Sequence, residues 1–389
     1  MEPNNSKASV DINTTDKTKA DAFNKDKTKA GVVDKDKTKA GAVDKDKSKA
    51  GIKTAVVILN WNGKALMEQY LPVLIEHTGS PGVSLVVADN ASTDGSVEWL
   101  KASYPAIQLI CLEQNYGFAE GYNRALASVE AEYLVLLNSD VQVSPNWLEV
   151  LTDYLDEHPE VAACQPKILS LKQPDYFEHA GACGGFIDAL GYPFCRGRIQ
   201  EYLETDQGQY DQSCDVFWAS GACLCIRRED YFSAGGLDAR FFAHMEEIDL
   251  CWRLRKRGRR LVCLPASVVY HLGGGTLNKE NAHKTFLNFR NNLLMLYKNL
   301  PQGRLFGVMA LRLLLDYSAA LSFLLRGCPK SAIAVLRGRM AFRKLRPGFK
   351  KDRKSLSRGT QKNIPEIYRG CIVFDYFLRG KKRYSQLKF

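Results

Sequence analysis

From Thr54 onward the chain alternates short apolar runs with longer stretches in which apolar residues recur every three or four positions, the pattern of strand followed by helix. The runs 54–60 (TAVVILN), 83–89 (VSLVVAD), 107–112 (IQLICL) and 132–138 (EYLVLLN) predict four strands. The stretches at about 64–77, 95–102, 118–129 and 145–157 predict the helices between them. Near-continuous Val, Ile and Leu within a strand means burial on both faces, so the expected fold is α/β, a mostly parallel central sheet with flanking helices. From Cys164 to about Tyr270 the texture is mixed. Apolar strand candidates at 215–226 and 261–264 flank a charged helix at 245–257, Gly, Pro and Tyr crowd 181–213 as a loop insertion over the site, and a helix at 281–299 leads into a different tail.

Ligands of parallel sheets bind beyond the carboxyl ends of the strands. Those ends are where this chain collects polar residues: Asn60, Trp61 and Asn62; Asp89, Asn90, Ser92 and Asp94; Asn115, Gly117 and Asn123; Asn138, Ser139 and Asp140. Any one cluster is explained by helix capping. Four along one edge form a nucleotide pocket. Neither GxGxxG nor GxxxxGK[ST] is present, so nothing supports a dinucleotide fold or a P-loop ATPase.

The N-terminus has a different character. A ten-residue unit repeats from Asp16, Asp26, Asp36 and Asp46 (DKTKADAFNK, DKTKAGVVDK, DKTKAGAVDK, DKSKAGIKTA), with alternating charge and almost nothing to bury. Residues 1–52 are therefore expected to be disordered, and they lack the apolar core of a secretory signal. The formal charge of +11 is unevenly spread: residues 301–389 carry +17, whereas 54–300 carry −10. An acidic body argues against a nucleic-acid groove, and a basic tail argues for an anionic surface as its partner. Eleven scattered cysteines, with Cys223 and Cys225 the only close pair, fit neither a disulfide scaffold nor a structural zinc site. Reduced thiols in a cytosol are the expectation.

The strings DNASTDGS at 89–96, NYGFAEGYN at 115–123, LLNSD at 136–140, SGACLCIRR at 220–228, GGLDARFFAHMEEIDLCWRLRKRG at 235–258 and VYHLGGGT at 269–276 together resemble glycosyltransferase family 2, in its bacterial rhamnosyltransferase-like branch. The resemblance covers about 54–300. It implies a GT-A fold, a Rossmann-like sheet, and transfer of a sugar from a nucleoside diphosphate to an acceptor hydroxyl with inversion. It places the family's DxD element at Asn138–Ser139–Asp140, with Asp140 as ligand to a divalent metal (Mn2+ or Mg2+), Asn138 beside the nucleotide, and His271 as second ligand. Gly273 to Gly275 would let backbone N–H groups approach phosphate oxygens.

The same resemblance gives Glu247 the role of general base, with Glu246 and Asp249 as alternatives, because Glu-Glu stands where relatives have Glu-Asp. A carboxylate within reach of the acceptor hydroxyl can take its proton. Asp89 is placed to accept from the ring N–H of uracil or thymine, and Asn60, Asp94, Asn115 and Gly117 to line base and ribose, so a UDP- or dTDP-linked donor is preferred. Trp218, Ser220 and Gly221 are placed at the donor sugar and acceptor.

The tail raises the question of a membrane. Residues 305–325 are long enough to span a bilayer, but Arg312 and Asp316 fall mid-segment. At about 100° per residue the charges at 304, 312, 316 and 326 fall on one stripe, the mark of an in-plane amphipathic helix with its apolar face in the membrane. Arg337, Arg339, Arg343, Lys344, Arg346, Lys350, Lys351, Arg353 and Lys354 follow and add attraction to an anionic surface. The rival is a helical bundle packed on the catalytic domain or on a second copy in a homodimer.

Three regions are therefore expected: a disordered repeat (1–52), a GT-A domain (53–300) and basic amphipathic helices (301–389). The functional expectation is peripheral attachment to the cytoplasmic face of a bacterial inner membrane, a glycan or lipid-linked acceptor, and a role in cell-surface polysaccharide assembly. A catalytically inactive GT-A module acting as an assembly scaffold is the alternative.

Overall fold

Four parallel strands form where the apolar runs predict them: β1 (Thr54–Asn60), β2 (Val83–Asp89), β3 (Gln108–Cys111) and β4 (Tyr133–Leu137), in the spatial order β3-β2-β1-β4. The computed structural model describes residues 51–273, 282–356 and 363–389. The repeat (residues 1–50 of the predicted 1–52) and Gly274 and Gly275 of the glycine run lie outside them. Register is in step across the wing, with Thr54 opposite both Val83 and Tyr133, so the strands end level and their loops share one edge. Helices α1 (Lys64–Glu76), α2 (Ser96–Ser103), α3 (Gly117–Ala127) and α4 (Trp147–Glu157) connect and cover it, within three residues of the predicted bounds.

The sheet continues through strands the sequence pattern did not resolve. β5 (Val141–Val143) and the ten-residue β6 (Val161–Ser170) follow β4, and β6 is buried almost throughout. The crowded 181–213 segment is not a loop over the site. It builds a second, small sheet from β7 (Gly185–Asp188), β8 (Pro193–Cys195), β9 (Arg198–Ile199) and β10 (Tyr202–Leu203). The predicted strand at 215–226 divides into β11 (Cys214–Asp215) and β12 (Cys223–Arg227), because the chain turns at Ser220. After α5 (Arg228–Ser233) and α6 (Glu246–Lys256), β13 (Arg260–His271) runs far beyond the predicted 261–264. The main sheet has the order β11-β13-β6-β12-β4-β1-β2-β3, with β5 paired to β13. β12 enters antiparallel between β4 and β6, while β13 runs parallel to β6.

The predicted boundary at Pro301 does not part the structure. Helices α7 (Ala282–Asn299), α8 (Gln302–Leu325), α9 (Pro329–Leu345) and α10 (Lys350–Leu356) pack together, and β14 (Ile367–Tyr368) joins β7 before α11 (Ile372–Phe377) closes the chain. Arg255 of α6 forms a buried ion pair with Glu366, so residues 50–389 make one unit.

Helix α8 has the predicted charged stripe, but its middle faces inward while Arg304 and Arg326 at its ends stay exposed. Arg312 and Asp316 are buried against the body rather than facing water. Arg312 donates to Leu190 O at 3.0 Å and to Asn292, its guanidinium lies 4.0 Å from the Tyr192 ring centre, and Asp316 accepts from Arg312 and Arg339. Helical angles show which residues share a face but not which face meets protein; here the paired charges satisfy each other inside. The outward face is therefore apolar: Phe306 (86% exposed), Leu314 (65%), Tyr317, Leu321, Leu324 and Leu325 (80%). Ile333, Leu336 and Met340 extend it along α9. Two members of the predicted basic run are structural, since Arg339 binds Asp316 and Arg353 donates to Tyr297 O and Leu300 O.

Candidate functional site

The antiparallel pairing of β5 with β13 sets Val141 opposite His271, which brings Asp140 and His271 together although 131 residues separate them. His271 Nε2 lies 3.1 Å from Asp140 Oδ1, and Asn138 Nδ2 is 3.5 Å from the same nitrogen. On the far side of the ring, Glu178 Oε1 lies 3.5 Å from Nδ1, which has no aligned hydrogen-bond partner. Glu178 is buried and its other carboxylate oxygen accepts from the Ala180 amide. Gly273 is required here: its φ is +63°, and a Cβ would come within 2.7 Å of Glu178 Oε1. Burial alone would depress the His271 pKa, but the carboxylates of Asp140 and Glu178 outweigh it and raise it to about 10.

This donor set fits a divalent cation. Cis ligands of an octahedral ion with bonds of about 2.1 Å stand about 3 Å apart, close to the Asp140–His271 separation. Among the described residues no group of three or more His, Cys, Asp or Glu side chains is placed to hold a metal. The remaining ligands would thus come from diphosphate oxygens and water, as is usual for Mg2+-type sites.

The second cluster of acids faces the first across a short turn. The Asn138 amide donates to Ala222 O at 3.0 Å, and Gly221, the residue before, borders Glu247: a Cβ at Gly221 would be 3.9 Å from Glu247 Cβ and 3.3 Å from the Phe118 ring. Glu246 and Glu247 open α6, and each has a carboxylate oxygen shielded from solvent without a hydrogen-bond partner. Burial pushes Glu247 up to about 7, against the pull of backbone amides at the helix start. Burial, then the Glu247 carboxylate, raises Glu246 well above the ordinary range.

Asp249 is different. Arg253, Lys298 and Asn299 hold it at 2.8, 2.7 and 2.7 Å, and it is fully buried. Burial opposes ionisation, but the two cations prevail and its pKa is lowered. As an alternative base it is corrected to an anchor between α6 and α7.

The residues expected around the nucleotide mostly build the pocket edge. Asn60 and Asp89 are buried and spend their polar atoms on each other and on the neighbouring loops. Asn60 Nδ2 donates to Asp89 at 2.9 Å and to Ser92 Oγ at 3.0 Å, its Oδ1 accepts from the Gly63 amide at 3.1 Å, and Asp89 accepts from the Ser92 amide at 2.9 Å. They tie the first two loops together. Asp94 does the same from an exposed position, accepting from the amides of Lys64 and Ser96. Asn115 is exposed and accepts from Asn90 and from the Gly117 amide. Gly117, at φ +75°, admits the Phe242 ring, which a Cβ would approach within 2.5 Å.

Trp218 is corrected to a core residue. It is 4% exposed, covers Gly185, and donates from Nε1 to Phe186 O at 2.9 Å. Ser220 holds the turn through Gln165 and Ala180, leaving Gly221 as the member of that trio beside the acids. Glu178 was missed because its approach to His271 depends on the parallel pairing of β6 with β13, and β6 was not read from the sequence. An acid followed by His and Gly (FEHAG, 177–181) carries no local signal for such a role.

Residues 55–230 match the family model described as glycosyl transferase family 2. The chain carries a family 2 glycosyltransferase domain. It is 28% identical over 264 residues to the N-acetylglucosaminyl-diphospho-decaprenol L-rhamnosyltransferase of Mycobacterium tuberculosis, over 62% of this chain and 83% of that protein. It is 38% identical over 163 residues to rhamnosyltransferase WbbL of Escherichia coli K12, over 40% of this chain and 61% of that protein. A solved mannosyltransferase, PcManGT from Pyrobaculum calidifontis in complex with GDP-Man and Mn2+, superposes with a TM-score of 0.46 at 15% identity, over 75% of this chain and 86% of the other. This glycosyltransferase is thus an enzyme of glycan biosynthesis. The family match ends before α6 and before His271, so both lie outside the matched span.

Proposed function

We propose that this glycosyltransferase moves a rhamnosyl or related hexosyl unit, with inversion, from a dTDP- or UDP-linked donor to a hydroxyl of a lipid-linked glycan, in cell-surface polysaccharide assembly. The observation that carries the reading is the Asp140–His271 pair held across the 220–222 turn from Glu247, a carboxylate with an unpartnered oxygen. The acceptor hydroxyl gives its proton to Glu247 as its oxygen bonds to the anomeric carbon. The bond from that carbon to the diphosphate oxygen breaks, and the electron pair leaves with the nucleotide. A carboxylate titrating near neutrality suits this task. Asp140 and His271 would hold a divalent cation (Mn2+ or Mg2+) that offsets the charge gathering on the leaving diphosphate. Glu178 aligns the His271 ring from behind. The inactive-scaffold alternative has no use for buried carboxylates left without partners, which are costly to keep.

The rhamnosyl unit and lipid-linked acceptor rest on the names of the mycobacterial and E. coli relatives. Location at the cytoplasmic face of the inner membrane rests on the outward apolar face of α8 and α9, flanked by exposed Arg326, Lys330, Arg337, Arg343 and Lys344. Liposome flotation checks this: binding is expected to need anionic lipid, to weaken with salt, and to vanish when Leu314 and Leu321 become Asp.

The deciding experiment is calorimetric titration of dTDP and of UDP with and without Mn2+. Tight binding that requires Mn2+ and is lost in Asp140→Ala and His271→Ala is the expected result. Unchanged transfer in excess chelator would overturn the metal reading.

A further inference from the structure

The turn from Phe241 to Met245, directly before the acid pair, is built from residues that resist its shape. Phe242, His244 and Met245 have φ of 68°, 70° and 74°. Positive φ in non-glycine residues is strained and persists only where the surroundings over-determine the backbone. Asn291, buried in the middle of α7, supplies that constraint. Its Nδ2 lies 2.9 Å from Phe241 O, 2.8 Å from Ala243 O and 2.8 Å from His244 O. Two N–H bonds shared among three carbonyls make this side chain the hub about which the turn is folded.

Arg290 supports the hub. Its Nε donates to Asn291 Oδ1 at 2.8 Å, which fixes the amide so that Nδ2 faces the turn, and its Nη2 donates to Phe241 O at 2.8 Å. The turn in turn organises the pocket: Phe242 O accepts from the amides of Phe118 and Ala119 at 2.9 and 3.2 Å, and the Phe242 ring covers Gly117. The next residue, Asn292, serves other partners, donating to Gly191 O at 2.7 Å and accepting from Arg312.

We propose that Asn291, backed by Arg290, is a positioning residue for the acceptor-side carboxylate: it holds the 241–245 turn in the strained shape that aims Glu247. The inference rests on Glu247 being the base. An amide is suited to the role because a hydroxyl at this position is too short to reach three carbonyls and a carboxylate would repel them.

The test is a double-mutant cycle on the full chain, read as transfer from dTDP-rhamnose to an N-acetylglucosaminyl-diphospho-polyprenol at high enzyme concentration. Asn291→Ser is expected to lower kcat about 100-fold while leaving the Kd of dTDP with Mn2+ within about twofold. In a Glu247→Gln background the same change should alter the residual rate by less than about threefold, because a positioning residue has nothing left to position. Arg290→Gln should show the same dependence with a smaller loss, about tenfold, and it decides the matter by the same criterion if Asn291→Ser does not fold. Wild-type transfer by Glu247→Gln would remove the base reading, and this inference with it. An inactive Glu247→Gln beside an Asn291→Ser of normal kcat, or losses that multiply in the double variant, would overturn the inference alone.

Discussion

Glu247 and Asp249 stand two residues apart on the first turn of α6, and their surroundings drive them in opposite directions. Asp249 has a donor on every side, and its charge is used to fasten α6 to α7. Glu247 keeps an oxygen without a partner at the edge of the pocket, and its proton is held to near neutrality. A saturated carboxylate stabilises the fold and can do little chemistry; an unsatisfied one costs stability and is free to react. Composition alone would have treated the two as equivalent.

The largest effect should come from the free carboxylate. Glu247→Gln keeps the shape and loses the base, so transfer should fall about 10²–10⁴-fold while the protein unfolds at the same urea concentration or higher. Asp249→Ala should reverse that signature. Leaving Arg253 buried without its counter-charge, and Lys298 with Asp238 alone, costs about 3–5 kcal/mol. Urea denaturation would show the loss, and the folded fraction should still bind nucleotide with Mn2+.

The pH profile separates the two carboxylates more gently. The base works deprotonated and titrates near 7, so kcat/KM should rise about tenfold per pH unit below 7 and level off above it. Glu246 is coupled to it, so the limb reports the pair rather than one residue. A flat profile between pH 5 and 8 would mean that another group takes the proton. The smallest change is expected at Glu178, whose substitution by Gln should weaken Mn2+ binding about tenfold, read by Mn2+ titration in the presence of dTDP, without altering that acid limb.

Different parts of this molecule were legible to different degrees in the sequence. β3, at the sheet edge, is exposed at both ends, but β1 and β4 declare themselves because strands buried on both faces must be apolar throughout, and each is closed by a polar cluster. β6 is just as buried, but Gln165, Pro166 and Lys167 interrupt its pattern. Lys167 is accommodated through Asp206 and Asp211, a pairing made only by the folded chain. Asp140 and His271 could be found by motif, since each sits beside a recognisable string. Glu178 and Asn291 could not, because their significance lies in partners about 93 and 47–50 residues away. The charged stripe of α8 is a middle case: its angular position was readable and its direction was not.

The pairing of Ile367 with Ile187 and Tyr368 with Asp188, reinforced by the Ile372 amide on Asp188, has a kinetic consequence. The small sheet takes its last strand from a segment made 180 residues later. A nascent chain can complete the β1–β4 wing early, but this sheet must wait until residues 363–389 have been synthesised. The α8–α9 hairpin is made in that interval. Its apolar side is thus made before the catalytic body has closed, and refolding from denaturant should show a slow final phase that removing residues 363–389 abolishes.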